Sequence, residues 1–94
     1  MNKVAAVKPL PNYELLLTFS NHEVRRFDVK PYLDKGIFVE LKDEDYFRKV
    51  ALCMDSIAWK SGQDFSPETL YLRSEFVGND GGLGFNVYNP LLII

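Results

Sequence analysis

Between Tyr13 and Phe19 the chain reads YELLLTF, with Tyr13, Leu15, Leu17 and Phe19 at every second position. A period of two places these four on one face of a β-strand. Glu14, Leu16 and Thr18 fall on the other face, and Leu16 there points to a strand that is partly covered on both sides. Upstream, KVAAVK over Lys3 to Lys8 is a shorter extended segment stopped by Pro9 and Pro11. Ser20-Asn21-His22-Glu23 predicts a tight hairpin turn. The type I′ form asks for positive φ at both central residues, so His22 stands where glycine would be cheapest. Glu23 to Val29 (EVRRFDV) is the returning strand. Val24 lies on one face and Phe27 and Val29 on the other, which calls for a bulge or a strand buried on both sides.

The signals then become helical. Lys30 to Gly36 reads as a short helical turn closed by glycine, and Phe38, Val39 and Leu41 form an apolar anchor. Asp43 is placed to cap a helix over DEDYFRKV, with acids in its first turn and Arg48 and Lys49 in its last. Val50 to Met54, a break at Asp55-Ser56, and Ile57-Ala58-Trp59 predict a second hairpin. Lys60-Ser61-Gly62 is turn chemistry. Ser66-Pro67-Glu68 opens a further helix, with Ser as N-cap and Pro in the first helical position. Leu70, Tyr71 and Leu72 supply its packing atoms. The pattern predicts an α+β fold: a small antiparallel sheet built from two hairpins, with short helices packed on one side. A single domain spans residues 1–77. Residues 78–94 form a glycine-rich linker, GNDGGLG, and an apolar tail, FNVYNPLLII.

Composition narrows the classes. At 94 residues the chain fits one domain, and surface scaling buries about 65% of what the unfolded chain exposes. Aromatic residues at 14% supply much of the core. The net charge of −2 argues against a non-specific nucleic-acid binder, which shows a basic face. The opening MNKVAAVKPLPNYE has no long apolar run of the signal-peptide kind, and no segment reaches membrane-spanning length. A cytoplasmic protein is expected.

The search for chemistry returns little. There is no phosphate-binding loop, dinucleotide fingerprint, zinc-ligand cluster or nucleophile elbow, so no cofactor and no metal are expected. A histidine-based triad would have to use His22, in an exposed turn. Cys53 sits in the apolar run VALCM and is expected to be a buried thiol. Asp43, Glu44 and Asp45 lack the spacing of a calcium loop and fit helix capping. Arg25 and Arg26, with Lys30, are the densest basic group. The two arginines are adjacent on a strand and point to opposite faces, as on a solvated strand. Trp59, Asp64 and Tyr71 form the candidate binding surface. Each also has a sufficient local role: Trp59 in the core, Asp64 tying the loop, Tyr71 packing with a satisfied hydroxyl.

Four stretches carry a family resemblance: YELLLTFSNHEVRRFDVKPYL, GIFVEL, DYFRKVAL and IAWKSGQDFSPETLY. In this order and spacing they cover most of Val4 to Tyr71, and the chain resembles the small bacterial domain of unknown function 2442. The resemblance implies a compact α+β unit and a partner-binding or regulatory role, since such domains often accompany another small domain in toxin–antitoxin-like pairs. It implies no catalytic residues. The chain departs from the family pattern at Asn21-His22, where asparagine-glycine is usual, at Lys60, where proline is frequent, and from Gly78 onward.

The expected function is therefore a non-enzymatic protein-interaction or regulatory module, the accessory or antitoxin member of a small gene pair. One alternative is a homodimer assembled through residues 85–94, which are too apolar to float free. The other is a small-ligand binder or enzyme built around Trp59, Asp64 and Tyr71.

Overall fold

A computed structural model describes residues 2–80. Seven strands, two short α-helices and two 3₁₀ segments follow one another: β1 (Val4–Leu10), β2 (Glu14–Phe19), β3 (Glu23–Asp28), 3₁₀ turns at Lys30–Tyr32 and Gly36–Lys42, α1 (Glu44–Phe47), β4 (Ala51–Cys53), β5 (Ser56–Ala58), β6 (Asp64–Phe65), α2 (Pro67–Leu72) and β7 (Glu75–Asn79). The fold is α+β and every strand pairing is antiparallel. Each predicted hairpin seeds its own sheet: four strands in the order β1-β2-β3-β7, and three in the order β4-β5-β6.

The period-two reading of β2 holds in three dimensions. Leu15, Leu17 and Phe19 are buried in the core, and Leu16 and Thr18 on the opposite face are buried as well. β2 and β3 pair without a register break. The split pattern of β3 therefore reflects a strand buried on both sides: Phe27 faces the core beside Leu15, and Val24 lies opposite Thr18 on the far face. The register break sits one strand further on, between β3 and β7.

Several local expectations are adjusted. β1 runs through Pro9 to Leu10; as an edge strand it can carry a residue with no N–H to donate. Among the turn residues Ser20, Asn21 and His22, only His22 has positive φ, at 70°. His22 N–H donates to Phe19 C=O, so the loop is the three-residue form ending in a left-handed residue. The second hairpin turns at Met54-Asp55, both with positive φ, one residue earlier than predicted. The helix after Asp43 is one turn long, because the chain leaves at Arg48 for β4. Asp43 does cap it, accepting from the amides of Asp45 and Tyr46. β7 was not foreseen; it includes Gly78 and Asn79, which the sequence pattern assigns to the linker. Cys53 is exposed, not buried, because β4 is the edge of its sheet.

The core between the two sheets is a chain of aromatic contacts. Phe47 meets Tyr13 edge-on at 5.4 Å and Trp59 at 5.8 Å. Phe65 joins Trp59, Phe27, Tyr32 and Phe38. Leu33, Leu41, Ile57 and Leu70 fill the spaces between these rings.

Candidate interaction surface

The residues Trp59, Asp64 and Tyr71 occupy three different environments. Trp59 is a core residue, 3% exposed, with its indole N–H donating to the Phe47 carbonyl at 2.8 Å. It offers almost no surface to a partner. Asp64 is exposed on the edge strand β6, in register with Ala58. Tyr71 is half-buried on α2. The loop between Trp59 and Asp64 is tied by Gln63 and not by Asp64. Gln63 is fully buried, its carbonyl accepts from Trp59 N–H, and its amide nitrogen donates to the Ile37 carbonyl and to Glu40. Its amide oxygen accepts from the Tyr46 hydroxyl at 2.8 Å.

Tyr71 stands in a network of side chains that come from distant parts of the chain. Ser66 caps α2 by accepting from Thr69 N–H, and Pro67 follows it, so the helix presents Leu70 to the core and Tyr71 to the first sheet. The Tyr71 ring meets Phe19 edge-on at 5.2 Å, and its hydroxyl donates to Glu23 at 2.8 Å. The Arg25 guanidinium lies over the same ring, 4.5 Å from its centre. Arg25 also donates to the Ser74 hydroxyl and carbonyl and to Glu23. Arg25 is thus a pinned, part-buried residue, not a solvated one: its register partner is Leu17, which puts it on the core face at the rim. The Tyr71 hydroxyl, then Arg25 and Asn21, hold the Glu23 carboxyl below its ordinary pKa, with desolvation opposing them.

This network places a patch of apolar surface. Phe76 on β7 is the register partner of Arg25, so the two side chains share a face, and Phe76 is 51% exposed. Leu72, next to Tyr71, is 77% exposed. Tyr71 and Leu72 line a shallow, open hollow of about 340 Å³ with Asn2, Pro67 and Glu68. Large apolar side chains held this far into solvent by a rigid polar frame are the composition of a contact surface. Leu72, expected to supply packing atoms, instead stands in solvent at the end of α2, where only Leu70 is buried, and Phe76 carried no sequence signal because its neighbours are set by the pairing of β7 with β3.

The remaining candidates have structural partners. Arg26 faces Glu14 and Glu75, and Lys30 faces Asp28 and Glu14. With Arg25 on Glu23, each cation of the basic group meets a carboxylate, so the group is not a bare cationic patch. Asp43 is spent as a cap, and Glu44 and Asp45 pair with Arg48. Among the described residues no three histidines, cysteines or acids gather as metal ligands do. His22 is exposed and its Nδ1 lies 3.1 Å from Asp80. No helix among the described residues is long and apolar enough to cross a membrane. The expected dimer contact through residues 85–94 lies outside the described residues.

The model of a family described as protein of unknown function, DUF2442, matches residues 4–76. The chain belongs to the DUF2442 family. The DUF2442 match takes in both sheets and the whole Glu23–Arg25–Tyr71–Ser74 network, and it ends inside β7 at Phe76. No curated protein and no solved structure matches the chain.

Proposed function

We propose that this DUF2442 chain is a non-enzymatic protein-binding module, the accessory or antitoxin member of a small bacterial gene pair, and that it meets its partner through the α2–β7 corner. The observation that carries the reading is the exposure of Leu72 and Phe76 on either side of the pinned Tyr71–Arg25 stack. A preformed apolar anchor surrounded by polar groups loses little entropy on binding. The resemblance to domains that accompany a second small protein supports the same reading. Tyr71, Glu23 and Arg25 are tied to one another and to Ser74 by hydrogen bonds, which supports a structural role for these polar groups behind the apolar anchors.

The test is co-expression with the product of the adjacent gene, followed by pull-down of the pair. The wild-type chain is expected to retain that protein, and Leu72→Arg is expected to release it while the melting temperature stays within a few degrees. Failure of the wild-type chain to recover any specific protein, and equal recovery by Leu72→Arg, each count against the reading.

A further inference from the structure

We propose that β4 is a homotypic docking edge: two copies of the chain pair β4 to β4 antiparallel across a two-fold axis at Leu52, joining two three-stranded sheets into one. This surface is separate from the α2–β7 corner.

The geometry begins at the hairpin. Cys53 pairs with Ser56 across the two-residue turn Met54-Asp55, and both turn residues have positive φ, as a type I′ turn requires. The pair that closes such a turn exchanges both of its hydrogen bonds, and the next pair exchanges none. Cys53 and Ala51 therefore bond to β5, and the N–H and C=O of Leu52 point away from it. Among the described residues neither group of Leu52 takes part in a further backbone hydrogen bond. Leu52 is 50% exposed, and Ala51, Cys53 and Met54 are exposed with it.

An edge strand of this kind is normally guarded by a charge, a proline or a bulge. The other described edges are guarded. β1 carries Lys8, Pro9 and a register break between Val4 and Ala6. β7 carries Glu75 and pairs through a register break. β6 is two residues long and holds Asp64. Ala51-Leu52-Cys53 is also short, at three residues, but it carries no charge, no proline and no register break.

The flanking charges select the occupant. Antiparallel pairing centred on Leu52 sets Ala51 opposite the second copy's Cys53 and brings Lys49 toward the second copy's Asp55, twice over by symmetry. Parallel pairing would set Lys49 beside Lys49 and Asp55 beside Asp55. The strand is thus self-complementary in hydrogen bonding, in apolar contact and in charge only for an antiparallel partner of its own sequence. A two-fold contact of this type closes on itself and makes a dimer, not a fibre. One short strand pair buries less than a standard interface, so the dimer is weak and depends on concentration.

Sedimentation equilibrium of the full chain is expected to show a mass that rises from monomer toward dimer with concentration. Lys49→Glu, which sets two acids against Asp55, is expected to weaken association about ten-fold, with an unchanged melting temperature; adding Asp55→Asn recovers part of it. Ala51→Cys supplies a thiol opposite Cys53 of the second copy, at a non-hydrogen-bonded pair where side chains approach closely. It is expected to give an oxidised dimer on a non-reducing gel, which wild type does not give. A mass that stays monomeric at every concentration, with no cross-link from Ala51→Cys, overturns the proposal. So does a dimer that forms equally well with Lys49→Glu.

Discussion

The indole N–H of Trp59 donates to the carbonyl oxygen of Phe47 across 2.8 Å, and the two rings pack 5.8 Å apart. One side chain thereby closes the end of α1 and joins it to the second sheet. Trp59→Ala should cost about 3–5 kcal/mol through the cavity it leaves. Trp59→Phe keeps most of the packing and loses the indole hydrogen bond, while the Phe47 carbonyl still accepts from Val50 N–H at 3.3 Å, so the cost is about 0.5–1.5 kcal/mol. Urea unfolding at neutral pH measures both. A stability equal to wild type in Trp59→Ala would place the residue outside the core.

How much of this was legible depended on the range of the interaction. β2 could be read because period-two burial is written into Leu15, Leu17 and Phe19. The caps at Asp43 and Ser66 could be read because a cap bonds to amides two or three residues away. β7 could not, because EFVGN has a charge, a glycine and no alternation, and it becomes a strand only by pairing with β3. Cys53 was misread because an apolar run does not say whether its strand lies at a sheet edge. For the candidate surface, Tyr71 was picked out correctly as a packed residue with a satisfied hydroxyl, but Glu23, Arg25 and Ser74 reach it from distant parts of the chain. Trp59 is distinctive in sequence for the same reason that it is absent from the surface: it fills the core.

Gln63 is the buried polar link of the loop between Trp59 and Asp64. Gln63→Leu keeps its volume but leaves the Tyr46 hydroxyl without its acceptor and the Ile37 carbonyl without its donor. A loss of about 1–3 kcal/mol is expected, with recovery of the partner protein unchanged, since the loop lies away from Leu72 and Phe76. Chemical denaturation and the pull-down, run on the same variant, separate the two effects.

The depressed pKa of Glu23 makes stability depend on acid. The folded-state value lies below the unfolded one, because the Tyr71 hydroxyl, Arg25 and Asn21 favour the carboxylate. The stabilisation is therefore complete above the unfolded value of about 4.3 and is lost as pH falls through the folded value. Glu23→Gln removes this dependence. The wild-type advantage over Glu23→Gln should be constant near neutrality and shrink in acid, when unfolding free energies of the two proteins are compared at successive pH values. Curves that stay parallel into acid would show that the network does not favour the charged form.

The turn of the second hairpin holds two residues against their preference. Met54 and Asp55 have φ of 46° and 69°, and Met54 is 93% exposed, so its side chain gains little in return. A left-handed conformation costs an ordinary residue about 1 kcal/mol and costs asparagine less. Met54→Asn should therefore raise stability by up to about 1 kcal/mol, or roughly 4–8 °C in a domain of this size. In the monomer Asp55→Gly should act in the same direction, since within the chain the side chain gives up an exposed ion pair with Lys3 at 3.7 Å, and such pairs contribute little. Thermal unfolding of the two single variants and of the double variant tests this. A melting temperature lowered by Met54→Asn would mean that the methionine side chain makes contacts that outweigh its backbone strain.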